Sequence, residues 1–367
     1  MYHDRKVLII DSLRGLSCLG ILLYHVRVDL WIGWWRIRSF PEEYSSFAKS
    51  VAWLSVPTPF LGYAILLFFL ISGFCIHFPN TSSNSQPNWK KYFKRRFWRI
   101  YPTYIFALIL SALISYICHH FFGDTNWDPE KILRVSTLTQ NYPPNKGQFL
   151  SNPSLWTIPL EVEFYVLYPV AFCLFSKLRS YPLALVSFVL YGTSIYLNYQ
   201  GFTWFTYTFL FFWPIWLCGA WVAQLYRDKK IYLIPRFALL LGGTTSLALV
   251  VVGHFNNWNP LIEYFVWAWF YIFVFVICLR DQNWLVNSPA RKVFQGLAML
   301  GRVSFSLYLV HFPLLKLFGY LHLHWFDLKP ANFLVSISYL IPVCFLAWVF
   351  YSCVEKPIHM WSRRRFQ

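Results

Sequence analysis

Ten stretches of about 20 mainly apolar residues, at 7–30, 56–79, 100–122, 156–176, 181–199, 203–226, 232–253, 262–279, 296–320 and 331–353, alternate with polar or Pro/Gly-containing connections along the chain. An apolar run of that length, wound into an α-helix, matches the hydrocarbon thickness of a bilayer. The pattern predicts an all-α, polytopic integral membrane protein of about ten transmembrane helices. The first stretch is too long for a signal peptide and lacks a small-residue cleavage site, so it is expected to be a retained helix. No transporter-like repeat and no low-complexity tract divides the chain, and residues 1–367 read as a single membrane domain.

Composition agrees. Of the 367 residues 57% are hydrophobic, 22% aromatic and only 13% charged, with a mean hydropathy of +0.44. A soluble domain carries roughly 25% charged residues, so both a soluble globule and a disordered chain are excluded. The net charge of +17 raises nucleic acid as a partner, but the position of the charges removes that reading. With an even number of spans the connections fall into two alternating sets. The set shared with the termini holds the cluster Lys90, Lys91, Lys94, Arg95, Arg96 and Arg99, and the closing Arg363, Arg364 and Arg365. The other set holds Arg36, Arg38, Lys49, Lys131, Arg134, Lys146 and Lys329. The bias is roughly three to one, which predicts cytoplasmic termini and a multi-pass protein of the cell's inner or cytoplasmic membrane. The lipid bilayer is then an expected partner and nucleic acid is not.

Two connections on the opposite side are long, 31–55 and 123–155, and carry Trp34, Trp35, Glu42, Glu43, Asp124, Asp128 and Glu130. They are either a binding surface or tethers. The eight cysteines lie inside or at the ends of apolar stretches and read as small apolar residues, not as a disulfide framework. His119-His120 and His322-x-His324 have no companion Cys or carboxylate at ligand spacing, so no metal is expected.

Ionisable groups at membrane depth are costly, which makes each one a functional candidate. The first stretch carries Asp11, Arg14 and His25. Asp11 and Arg14, three apart, can pair. Arg14 and His25 are eleven apart, about three full turns, which puts them on one helix face with a rise of about 16 Å. They either line one path or sit separately as satisfied polar groups. The fourth stretch opens with Trp156 and carries Glu161 and Glu163, which point in different directions. Glu161 is expected at a depth close to that of His25. There it either orients the imidazole, as the acid does in a catalytic triad, or makes a structural hydrogen bond. Ser72-Gly73 in the second stretch allows close helix approach or contact with a ligand. Tyr308 and His311, i and i+3, share a face of the ninth stretch, in catalysis or in an interhelical hydrogen bond. Glu355-Lys356-Pro357 reads as a local ion pair. The cluster around Arg96 and Arg99 interleaves Arg with aromatic rings, which suits a phosphate as well as topology.

These residues together resemble the acyltransferase 3 family of integral-membrane O-acyltransferases. The resemblance is carried by an ordered series: Leu13-Arg14-Gly15 with His25, Phe68-Phe69-x-x-Ser72-Gly73-Phe74, and Arg96-x-x-Arg99 before Pro102. It continues with Trp156 followed by Glu161, Phe164 and Tyr165, then Ser304-x-x-x-Tyr308-Leu309-x-His311-x-Pro313, and ends at Glu355-x-Pro357. Thr157-Ile158, Pro159 and Phe305 depart from the usual pattern.

The resemblance implies transfer of an acyl group, most simply acetyl, from cytoplasmic acyl-CoA, with no metal. The acceptor it implies is a hydroxyl of a surface or exported carbohydrate such as a polysaccharide, O-antigen or oligosaccharide. It maps the family's critical Arg and His onto Arg14 and His25, and its arginine pair onto Arg96 and Arg99. On that basis His25, Arg14, Glu161, Tyr308 and His311 are the catalytic candidates, with His25 as base, Glu161 as orienter and Tyr308 or His311 as oxyanion donor. Arg96, Arg99, Ser72 and Gly73 are the candidates for holding acyl-CoA. Some relatives carry an appended soluble esterase-like domain, which is not expected here. A transporter or flippase for a glycan or lipid-linked sugar is the alternative that ten spans with intramembrane charges allow.

Overall fold

The computed structural model describes residues 2–81, 87–143, 149, 151–177 and 181–366. Lys146, counted above among the loop charges, lies outside them. The described residues form helices and connecting turns. The principal helices are α1 (Tyr2–His25), α2 (Ile65–His77), α3 (Trp89–Phe122), α4 (Thr157–Lys177), α5 (Tyr181–Tyr199) and α6 (Phe209–Arg227). They continue with α7 (Arg236–Phe255), α8 (Pro260–Arg280), α9 (Arg291–Arg302), α10 (Ser304–Phe326), α11 (Leu340–Phe350) and α12 (Lys356–Arg365). A π-helical turn, Val26–Leu30, prolongs α1, and another, Tyr351–Glu355, joins α11 to α12.

Among the described residues nine helical segments are long and apolar enough to cross a membrane. The stretch at 181–199 folds as α5 but is not one of them, because Tyr191, Ser194, Tyr196, Asn198 and Tyr199 dilute its apolar run. Large apolar side chains on helix surfaces are exposed, Phe237, Leu240, Phe188 and Ile341 among them. Surfaces of that kind face lipid in a polytopic protein.

The longest helix departs furthest from its expected bounds. Helix α3 has 34 residues, about 51 Å at 1.5 Å each, against roughly 30 Å of hydrocarbon. The basic segment Lys90–Arg99 is therefore the first turns of α3, not a loop before it. Lys and Arg are good helix formers, and the Asn88 side chain accepts the Lys91 N–H at 2.9 Å, capping the start.

The chain clusters into two compact units, Met1–Ser17, Ile65–Tyr92 and Ile158–Arg302 in the first, Cys18–Ala64, Phe93–Thr157 and Val303–Gln367 in the second. In the first unit, two helix crossings are set by glycine pairs. A Cβ on Gly73 would overlap the Trp216 carbonyl, and one on Gly219 would overlap the Leu70 carbonyl, so α2 and α6 cross backbone against backbone. Gly15 and Gly301 do the same for α1 and α9, against Leu297 and Asp11. Without a hydrophobic drive between helices in lipid, such small-residue contacts carry much of the packing. Around the first crossing the rings of Phe74 and Phe275 meet edge to face at 5.3 Å, and Phe69 meets Phe164 at the same distance.

In the second unit the described residues of the connection at 123–155 include a buried polar group. Gln140, Asn141, Ser151 and Asn152 are buried, a placement possible only because each is hydrogen-bonded to backbone or to a neighbouring side chain. The connection at 31–55 is built from short helices, Trp34–Ser39, Pro41–Glu43 and Ser46–Ala52, with Trp35, Phe47 and Trp53 exposed.

The glycine crossing yields a direct test. Gly73→Val is expected to destabilise the protein by about 1–3 kcal/mol through overpacking, seen as a lower melting temperature in detergent. Gly192→Val, where an added side chain meets open space, should leave it nearly unchanged. Equal melting temperatures for the two variants would show that the crossing does not depend on the missing Cβ.

Candidate active site

His25 closes α1, and the π-helical turn after it presents Asp29 one turn on. The turn is closed by the Trp31 N–H donating to the Val26 carbonyl at 3.1 Å, and π turns of this kind recur at functional sites. His25 Nδ1 and Asp29 Oδ2 are 3.3 Å apart. A carboxylate only accepts, so Nδ1 carries the hydrogen and Nε2 holds the lone pair. The ring is wedged between aromatic neighbours, with Phe312 perpendicular at 5.3 Å and His311 at 5.1 Å between ring centres.

His311 is wholly buried. Its Nδ1 lies 2.7 Å from the Tyr308 carbonyl and 3.1 Å from that of Leu307, so this nitrogen is a donor. Its Nε2 then holds a lone pair, and among the described residues that buried atom has no hydrogen-bond partner. Two imidazoles, each tied down at Nδ1 and each holding a lone pair at Nε2, thus stand side by side. Such a pair can receive a proton from a third group. In these tautomers neither Nε2 can donate to an oxyanion.

Tyr308 has a different engagement. Its hydroxyl donates to the Ser154 carbonyl at 2.8 Å and accepts from Thr157 Oγ1 at 2.9 Å, which ties the inward connection to α10. Asn152 Nδ2 reinforces the join with bonds to the Leu309 carbonyl at 2.8 Å and Ser111 Oγ at 2.9 Å. The one hydrogen of the Tyr308 hydroxyl is therefore spent on the loop.

Both ends of α10 are also held by side chains. At its start Glu355 accepts from the Ser306 N–H at 3.1 Å and from the Ser306 hydroxyl at 2.5 Å. Glu355 thus caps α10 from the π turn before α12, rather than pairing locally with Lys356. Further along, Lys316 Nζ meets the buried Asp124 at 2.5 Å, and the Tyr320 hydroxyl donates to the same carboxylate at 2.9 Å. Burial works against the Asp124 carboxylate, but Lys316, the Asn126 N–H and Tyr320 outweigh it and hold the group below the usual carboxylate range.

Arg96 and Arg99 belong to the same unit as His25, Tyr308 and His311. They lie on the basic first turns of α3, where guanidinium groups suit phosphate oxygens. Arg96 is half-buried and Arg99 exposed. The remaining candidates lie in the first unit. Arg14 stands 3.9 Å from Asp11 on α1. Glu161 takes the hydroxyl of Tyr165, one turn on in α4, and Glu163 accepts the first N–H of α6, from Phe209, at 2.8 Å. Ser72 accepts from the Trp216 indole at 3.3 Å, and Gly73 forms the crossing described above.

The carboxylate on His25 is thus Asp29, a residue that sequence spacing could have offered, since i and i+4 meet on a helix. Thr157, Ser154 and Asn152 could not have been found that way. Among the described residues no group of three His, Cys, Asp or Glu side chains is placed to hold a metal ion.

Comparison with known proteins bears on what this arrangement does. The sequence profile of the acyltransferase 3 family, described as an acyltransferase domain, matches residues 7–352. The O-acetyltransferase OatA of Staphylococcus aureus (strain NCTC 8325 / PS 47) is 22% identical over 399 residues, covering 98% of this chain and 58% of that protein. The chain therefore spans little more than half the length of that relative. A putative acetyltransferase, ORF330 of Acidianus two-tailed virus, is 25% identical over 318 residues, 84% of each chain. No solved structure is a significant match.

The Asp124 cluster predicts a pH dependence. A carboxyl held low in the folded state contributes stability that is present above its unfolded value, about 3.9, and is lost as pH falls through the folded one. Asp124→Asn leaves Lys316 buried and unpaired, and should cost on the order of 3–5 kcal/mol at pH 7. The gap in melting temperature between this variant and the unaltered protein should narrow as pH drops below about 4. A gap that stays constant from neutral to strongly acidic pH would contradict the assignment.

Proposed function

Because the chain belongs to the acyltransferase 3 family, we propose that it is a membrane O-acyltransferase, moving an acyl group, most simply acetyl, from cytoplasmic acyl-CoA to a carbohydrate hydroxyl. The acceptor is a surface polysaccharide, an O-antigen or an exported oligosaccharide. The observation that carries this reading is the His25 imidazole, held at Nδ1 by Asp29 with Nε2 available beside His311.

A neutral imidazole is matched to taking a proton from a hydroxyl near pH 7. His25 Nε2 takes the acceptor's hydroxyl proton as that oxygen bonds to the acyl carbon. The imidazolium so formed is stabilised by the Asp29 carboxylate, as the acid stabilises histidine in a triad. The same nitrogen then returns the proton to the sulfur as the acyl–sulfur bond breaks. His311 Nε2, a second lone pair in the neighbouring ring, accepts from another hydroxyl of the sugar and holds the acceptor in place while His25 acts. Phe312 and the buried surroundings exclude water, which would otherwise take the acyl group.

Acyl-CoA fits the basic turns of α3. When bound it supplies an activated thioester, and Arg96 and Arg99 hold its phosphates by charge-assisted hydrogen bonds. The basic cluster from Lys90 to Arg99 at the start of α3 supports a cytoplasmic position for that end of the helix, the side where acyl-CoA is made. The protein is then a multi-pass component of the cytoplasmic membrane.

The test is acyl transfer by purified protein in liposomes with labelled acetyl-CoA and an oligosaccharide acceptor. His25→Ala should abolish transfer while the protein stays inserted and stable. Asp29→Asn should lower kcat by about 10²–10⁴-fold, the range of general-base contributions, with little change in KM. Arg96→Ala combined with Arg99→Ala should raise the KM for acetyl-CoA far more than that for the acceptor. Near-normal transfer by His25→Ala would remove the assigned base.

A further inference from the structure

The short helix Ser46–Ala52 and the turn after it keep their smaller side chains inside, Ala48, Val51, Ala52 and Ser55, and turn their large apolar ones outward, Phe47, Trp53 and Leu54. Positions 47, 50 and 54 recur at helical spacing. Ser50, the polar member of that row, donates its hydroxyl hydrogen to the Ser46 carbonyl at 2.9 Å, which leaves the row without a free donor. Trp35, Trp53 and Phe47 are 75, 64 and 61% exposed, far more than rings of that size tolerate in water. The Trp53 ring meets Trp34 edge to face at 5.3 Å, which ties the helix Trp34–Ser39 to the end of Ser46–Ala52. All of these residues belong to the second unit.

Chain length decides what covers this surface. Val7–Leu30 and Ser46–Asn80 are both long and apolar enough to cross a membrane, so only residues 31–45 stand between two crossings. A connection that short, tied at both ends, stays beside the bilayer. The second crossing segment has 35 residues, about 52 Å even as a continuous α-helix, against about 30 Å of hydrocarbon. A turn at Pro57 interrupts it directly after the aromatic row, so the residues before Pro57 are surplus to the crossing. The exposed side chains also include the aliphatic Leu54 and Val56, which offer a sugar no ring to stack on, whereas lipid takes aromatic and aliphatic groups alike. Of the charges, Arg36 pairs with Glu43 at 3.1 Å. Arg38 stands 5.7 Å over the Trp34 ring and is in no ion pair among the described residues. Aromatic rings with a cation beside them suit the headgroup level of a bilayer.

We propose that residues 34–56 lie flat in the phospholipid leaflet at the C-terminal end of α1, with Trp35, Phe47, Trp53 and Leu54 at the boundary of headgroups and acyl chains and Arg38 on a lipid phosphate. The segment is an anchor, not a free loop. It is joined to the turn that carries Asp29 through Trp31, whose N–H donates to the Val26 carbonyl at 3.1 Å and whose indole donates to the Ala331 carbonyl at 2.9 Å. Anchoring in the leaflet then fixes the level at which Asp29 and His25 stand, whichever group the protein transfers.

The experiment uses the full chain in nanodiscs of phosphatidylcholine that carries an alkyne tag on its acyl chain. The photocrosslinker p-benzoylphenylalanine is placed in turn at Phe47, at Trp53 and, as a lipid-facing reference, at the exposed Phe345 of α11. Rings at the bilayer boundary should capture tagged lipid within about tenfold of the yield at Phe345, and a lower yield at either position overturns the proposal. A second arm adds a biotin-tagged maltooligosaccharide; its capture at Trp53 in place of lipid makes the surface a sugar platform and also overturns the proposal. A third arm puts the crosslinker at Leu54 in a chain carrying Trp35→Ser, Phe47→Ser and Trp53→Ser. A melting temperature checks that this variant folds, and if it melts early Trp35→Ser combined with Phe47→Ser takes its place. Lipid capture at Leu54 should fall by about an order of magnitude once the rings are gone, because interfacial binding scales with buried apolar area, while capture at Phe345 stays the same. Undiminished capture at Leu54 without the rings would show that they do not hold the segment in the leaflet, and the proposal fails.

Discussion

A polar group buried in a membrane protein has no water to fall back on, and the second unit is organised by that requirement. Helix α10 carries Ser306, Tyr308, His311, Lys316, Tyr320 and His322 through a span that must otherwise be apolar. All but His311 are met by side chains or backbone from elsewhere: Ser306 by Glu355, Tyr308 by Ser154 and Thr157, Lys316 and Tyr320 by Asp124, and His322 by the Tyr339 hydroxyl at 2.8 Å. The partners come from the 123–157 segment and from the last helices, so satisfying α10 is what draws those segments onto it. Leaving any one of these groups unmet would cost several kcal/mol.

Against that background the nitrogen left over on His311 stands out. Its Nδ1 is bound to the helix's own carbonyls, which fixes the ring 5.1 Å from that of His25, and Nε2 has no protein partner among the described residues. A fold that answers its other buried polar side chains on this helix has spared one acceptor beside the ring that Asp29 orients. Unmet buried acceptors are tolerated where a ligand supplies the donor. A hydroxyl-bearing acceptor meets that requirement, and an apolar ligand does not.

Much of the architecture was legible from apolar runs alone, because span length is dictated by bilayer thickness. What was not legible follows from what hydropathy cannot see. The stretch at 181–199 reads as a span by its Leu and Val residues, yet its Tyr, Ser and Asn residues leave it short of the other nine. The basic residues before 100 read as a loop because charge ends a hydropathy window, although Lys and Arg favour helix and α3 simply continues through them. The 123–155 connection reads as an exposed loop because it is polar, and it is the polarity that buries Asn152 against α10. Among the candidate residues, Arg14, His25, Tyr308 and His311 stood out as charges or hydrogen-bonding groups at membrane depth. Their partners did not, since Ser154, Thr157 and Glu355 meet α10 only through the tertiary fold. Asp29 was within reach of a spacing argument, but it lay beyond the depth at which intramembrane carboxylates draw notice.

The glycines separate two meanings of a motif. Gly15 and Gly73 belong to the same short strings as Arg14 and Ser72, and a string read as a unit assigns them all to one ligand. The structure divides the labour, since each glycine lets a partner helix approach to backbone contact, and Ser72 spends its acceptor on the Trp216 indole. A residue can therefore be indispensable to a motif by fixing where two helices cross. The charged member of the first string has no such packing reason to be there. Arg14 brings a cation into an apolar span, and among the described residues its ion-pair partner is Asp11, at 3.9 Å, a loose pairing for so costly a group. Of the residues in these two strings, Arg14 is the one whose place no helix crossing explains.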